Sequence, residues 1–220
     1  MDTLWKILTG LLVFYVLIWG MLMDVPAVDR IEESIRNLYY HVPMWFGMIF
    51  LFLGSAGFSI AYLSDNKFNH DIWASELART GLVLGVLGMA TGMIWAWVAW
   101  GAPWSNDPKQ NTSAIALLIY LAYFVFRGAF KDRFTKAKFS SIYNIIAFFA
   151  IIPLIFVLPR MTESLHPGGE AGSPVFNPGE DLAPEMRWVF YPAIVGFTLL
   201  GLWLTQLRVR VRKLIEKNDA

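Results

Sequence analysis

The sequence predicts an all-α fold: a polytopic membrane protein of six transmembrane helices, forming a single integral membrane domain over residues 1–220. Three observations carry that expectation. Hydrophobic residues make up 56% of the chain and charged residues 16%, against about 45–50% and about 25% in soluble domains; mean hydropathy is +0.49. Six apolar stretches, 4–23, 42–63, 78–100, 113–130, 142–159 and 188–207, approach the roughly 20 helical residues that cross a bilayer. None holds Lys, Asp or Glu at its middle, where an ionised group is costly.

The first stretch has only Lys6 as a basic flank, a long apolar run from Ile7 to Met23 and no A-x-A site after it. It reads as a retained helix and not as a cleaved signal. The second opens on His41-Val42-Pro43. Proline suits a first helical turn and biases the residue before it toward extended backbone, which places His41 just outside the helix, at its mouth. The third ends in a tryptophan-rich run that Gly101 and Pro103 break before Trp104. The fourth and fifth are short, and Pro153 is set to kink the fifth. The sixth runs into a basic tail.

Orientation follows from Lys and Arg. With the N-terminus inside, 13 of the 18 fall on the inner side, most in the 127–138 loop and the tail; the outer five are Arg30, Arg36, Lys109, Arg160 and Arg187. Both termini are then cytoplasmic. His41, the Trp100–Trp104 segment and His166 share the outer face, and His70 lies on the inner one.

Several functions are excluded. With no cysteine there are no disulfides, thiolate metal sites or thiol catalysis, and no C-x-x-C-H for covalent haem. A net charge of +1 leaves no polycation for nucleic acid. The basic 127–138 loop sets orientation and could also touch anionic membrane lipid or a partner.

Two histidines carry the chemistry. His41 stands above an apolar wall, with Met44 and Met48 at i,i+4 spacing and Trp45 beside Met48. A histidine so placed can be an axial haem ligand or an interfacial residue beside an aromatic belt. His166 sits in Ser164-Leu165-His166-Pro167-Gly168-Gly169, irregular backbone where an ordinary loop histidine is equally at home. As a pair on one face, they could ligate iron from both sides of a flat macrocycle. The 93–104 segment holds four of the ten tryptophans. Trp97, Trp100 and Trp104 form either a belt or an aromatic shelf for a planar ligand. A tight polar loop with Asn106, Asp107 and Lys109 follows, and Lys109 could pair with a carboxylate such as a haem propionate.

At these residues the sequence resembles the CcmC family of cytochrome c maturation, part of a wider haem-handling group with CcsA-type proteins. The matching pieces are His41-Val42-Pro43, the pattern W-G-x-x-W-x-W-D-x-[RK] at Trp100, Gly101, Trp104, Asp107 and Lys109, and Leu165-His166. Asn106 replaces a motif tryptophan, and Asp107-Pro108-Lys109 reads more like the CcsA-type version. The resemblance implies haem b held noncovalently at the outer face of the inner (cytoplasmic) membrane, with His41 and His166 as iron ligands. It implies delivery to a haem chaperone with ABC-transporter subunits as partners, and no enzyme activity. Asp107 and Lys109 would shape the loop or meet the propionates. A CcsA-type haem lyase core and a haem-carrying electron-transfer anchor are the alternatives.

Overall fold

The structure is a computed structural model and describes residues 3–27, 31–166 and 182–218. Helices α1 (Leu4–Leu22), α2 (Leu38–Asp65), α3 (Phe68–Trp100), α4 (Pro108–Gly128), α5 (Arg133–Ile152) and α6 (Pro184–Asn218) follow in order. Each lies in a segment long and apolar enough to cross a membrane, and among the described residues there is no strand. The central element is α2, packed along α3 and touching α5 and α6; α1 leans on α6 at the edge.

The helices outrun the apolar stretches at several ends, as α2 illustrates. A 3-10 turn, Glu32–Asn37, feeds directly into α2, so His41 lies inside the helix and not at its mouth, and Pro43 is internal. Burial overrides the local bias. Leu38 and Tyr39 are buried in a cluster with Val189 and Phe190 of α6, and that packing holds the helix through the proline. At the opposite end α3 starts at Phe68, so Arg79 lies within a long helix and not near its end. There Asp71 takes a two-pronged ion pair from Arg127, both contacts 2.7 Å, and Glu76 pairs with Arg208 at 2.8 Å. At Pro153 α5 changes winding, continuing as a π turn, Pro153–Val157, and a 3-10 turn, Leu158–Arg160.

Two devices bring α2 against its neighbours. Gly81, Gly85, Gly88 and Gly92 on α3 face Phe52, Met48, Trp45 and His41 on α2, one large side chain per glycine. Small residues of this kind let membrane helices approach closely. Between α2 and α5, buried Asn144 donates to the hydroxyls of Ser55 (2.7 Å) and Ser59 (2.8 Å), the polar contact that holds helices together in lipid, worth about 0.6 kcal/mol each.

Candidate functional site

His41 is seated by α3. Its Nδ1 lies 2.8 Å from the Gly88 carbonyl oxygen. A carbonyl only accepts, so Nδ1 carries the proton and Nε2 keeps its lone pair. Trp45 and Trp95 meet the ring edge-on, at 6.4 and 6.2 Å between centroids. A Cβ built on Gly92 would stand 2.5 Å from the His41 Cε1; only glycine leaves room for the imidazole.

His166 is seated differently. Its Nδ1 lies 2.8 Å from an Asp107 carboxylate oxygen. The other Asp107 oxygen accepts from the Leu165 N–H (2.6 Å) and the Ser164 hydroxyl (2.9 Å). Asp107 also caps α4 by accepting from the Lys109 N–H at 2.9 Å. Burial pushes this carboxyl up, but the Leu165 N–H, the imidazole, the Ser164 hydroxyl and the Lys109 N–H hold it below its ordinary value. Burial pushes the His166 imidazole below its ordinary 6.5, against the pull of Asp107. With Nδ1 directed at the Asp107 carboxylate, it is the donor, and Nε2 makes no hydrogen bond among the described residues. Trp100 meets it edge-on at 4.9 Å.

The loop from Gly101 to Asp107 holds this arrangement. Gly101 ends α3 in the left-handed region, φ 80. Gln110 accepts from Ser105 and donates to the Pro103 carbonyl. Asn106 takes φ 57, a conformation asparagine adopts more readily than most residues, and accepts from Trp104 Nε1 at 3.2 Å.

Both histidines line one cavity of about 200 Å³. Phe46 and Ile49 of α2, Phe190 of α6, and Ile155 and Phe156 of the rewound end of α5 wall it; Lys109 and Arg160 bring cations. Trp95, in the same wall, has a buried Nε1–H with no acceptor among the described residues. No cluster of three His, Cys, Asp or Glu suited to a bare metal ion occurs among the described residues. Two imidazoles alone fall short of a four-coordinate protein site. They suit a metal whose other ligands come from a macrocycle, and the aromatic wall and rim cations suit a planar ligand with carboxylates.

None of the three expected shelf tryptophans lines the cavity: Trp100 packs on His166, Trp104 joins the loop, and Trp97 is 65% exposed. Asp107 is consumed by His166 and its neighbours, while Lys109 lines the cavity. His70 is at the other end, 3.1 Å from Asp65. The stretch Pro167–Gly169 lies outside the described residues. Sequence reading missed Trp95, Gly92, Gln110 and Arg160. The 81-85-88-92 glycine spacing is the signal that could have found the seat; Arg160 has none.

A family model described as CcmC, heme exporter protein C, matches residues 2–220. The chain is 28% identical to the heme exporter protein C of Haemophilus influenzae, over 100% of its own length and 87% of that protein's. It is 25% identical to that of Paracoccus denitrificans, over 88% and 78%. A shorter likeness, 37% over 32% of the chain, is to the cytochrome c biogenesis protein CcsA of a Synechococcus strain, covering 25% of that protein.

Proposed function

The chain belongs to the CcmC family, heme exporter protein C, and from that membership we propose that it binds haem b noncovalently at the outer face of the inner membrane and delivers it for cytochrome c assembly. Its role is that of a delivery subunit and not an enzyme. The observation that carries this reading is the pair of imidazoles in one cavity, each with Nδ1 tied to an acceptor and Nε2 without a hydrogen bond among the described residues.

Haem is the cargo. His41 and His166 supply its two axial nitrogens, Trp45 and Trp95 fix the first ring, and Asp107 and Trp100 orient the second. Carboxylate and carbonyl partners of this kind set the tautomer and raise ligand basicity. Lys109 and Arg160 meet the propionates, and Trp104 belongs to the loop that positions Asp107. Drug-sized ligand pockets run from about 300 to 1,000 Å³, so a cavity of about 200 Å³ is too small to enclose a macrocycle and would leave an edge of it outside. That edge is what a haem chaperone takes, with ABC-transporter subunits as the neighbouring partners.

The outer-face assignment rests on the 13-to-5 division of Lys and Arg. Reporter fusions after Lys136 and after Ala220 should read cytoplasmic, and one near Gly169 external; a cytoplasmic signal at Gly169 would put the site on the wrong face. The function is tested by purifying the chain and the double variant His41→Ala/His166→Ala, then measuring haem per folded molecule and its transfer to a haem chaperone. The wild type should hold solvent-extractable haem and pass it on, and the double variant should hold almost none. Equal haem in both, or thioether formation on an apocytochrome by the chain alone, would contradict the proposal.

A further inference from the structure

The end of the bundle opposite the histidines holds a second cavity, of about 370 Å³. Its charged walls converge from separate elements: Asp71 of α3, Arg127 of α4, Lys131 from the connection after it, Arg133 and Lys136 of α5, and Arg212 and Glu216 of α6. Five cations face two carboxylates, a surplus of three positive charges. An orientation signal needs only charge in a loop; it does not need a walled cavity built from four helices.

The two carboxylates are already committed. Asp71 is gripped by Arg127 through two 2.7 Å contacts, with both side chains about nine-tenths buried. Glu216 takes Arg133 at 2.8 Å and Arg212 at 3.1 Å, and Arg133 also lies over the Phe68 ring at 4.1 Å. Arg127 is therefore fixed in place before any ligand arrives, and Arg133 and Arg212, about half exposed, are turned toward the cavity by Glu216. Lys131 and Lys136 make no ion pair or side-chain hydrogen bond among the described residues, although both line the cavity. Guanidinium groups beside two ammonium groups without an ion pair among the described residues suit a tetrahedral oxyanion. Phe134 and Phe139, 62% and 47% exposed on the same helix, offer apolar surface beside it.

We propose that this cavity is a phosphate-binding site at the cytoplasmic end, taking either the headgroup of an anionic phospholipid or a soluble phosphate compound. The exposed phenylalanines favour the lipid, whose acyl chains can lie along α5. This site is independent of the haem reading. Its test uses the full chain in nanodiscs of phosphatidylcholine with and without phosphatidylglycerol, reading retained lipid by native mass spectrometry, with inorganic pyrophosphate as the soluble probe. The comparison variant is Lys131→Gln/Lys136→Gln, and helical content by circular dichroism with monodisperse elution of the reconstituted protein reports that the variant is folded and inserted.

The expected result is one phosphatidylglycerol retained per wild-type chain in preference to phosphatidylcholine. At roughly fivefold per basic side chain near a leaflet, the double variant should bind roughly 30-fold more weakly. Pyrophosphate binding that is lost in the variant, without lipid preference, assigns the site to a soluble phosphate. Retention of phosphatidylglycerol unchanged by the double substitution, or binding of neither probe, overturns the proposal.

Discussion

The two histidines are held by contrasting means. His41 is locked between two helices: its partner is a backbone carbonyl, its neighbours are two tryptophans, and its space exists because residue 92 is glycine. His166 lies outside any helix and is held by one carboxylate that also caps α4 and fixes Ser164 and Leu165. The first seat comes from packing and changes only if helices move. The second comes from a hydrogen-bond hub and fails if one side chain fails. Under the proposed role in haem delivery, that asymmetry would give a fixed ligand on one side and a releasable one on the other.

This contrast makes ordered expectations. His41→Ala should have the largest effect, removing the fixed ligand and most retained haem; His166→Ala should leave more haem bound but releasing faster. Equal release rates in the two variants would erase the asymmetry. Gly92→Ala should come next. Its added methyl collides with the His41 ring, and overpacking of this kind costs about 1–3 kcal/mol, a weakening of haem affinity of roughly 5- to 150-fold in titrations. A variant that binds normally would show that the seat can shift at no cost.

Asp107→Asn should weaken binding about 10- to 100-fold, the usual consequence of losing a carboxylate behind a metal-bound histidine, while the His41 side keeps its ligation. Trp100→Ala should cost about 0.5–1.5 kcal/mol, roughly a two- to tenfold loss of occupancy. Trp97→Ala should change haem per folded molecule hardly at all, because Trp97 is 65% exposed and, unlike Trp100, has no ring contact with either histidine among the described residues. If Trp97→Ala weakened binding more than Trp100→Ala, the orientation of this segment would be misread.

Much of this was legible in the sequence. The six apolar stretches, the glycine that ends α3 and the convergence of His41, the tryptophan segment and His166 at one end of the bundle all appear in the fold, because lipid imposes length and hydropathy on each span. The register of His41 was not legible. Pro43 argued locally for a helix start, and only the burial of Leu38 and Tyr39 against α6 extends α2 past it. The roles within the tryptophan run were not legible either. A helical spacing of Trp97 and Trp100 says that they recur, not which one meets His166, and Trp95 reaches the cavity only because α3 packs along α2. The buried acids at the basic end escaped notice because Asp71 and Glu76 fall just before the apolar stretch of α3, where sequence alone gives no partner.

The pairing of the two Nε2 atoms can be read in one measurement: the absorption spectrum of the purified, haem-loaded protein in its wild-type form and as His41→Ala, His166→Ala and His70→Ala. The wild type and His70→Ala should both give the spectrum of six-coordinate, low-spin haem with two imidazole ligands. Each outer variant should lose that spectrum while retaining its helical fold. A six-coordinate spectrum unchanged in His41→Ala or His166→Ala, or its loss in His70→Ala, would contradict a haem site built from His41 and His166.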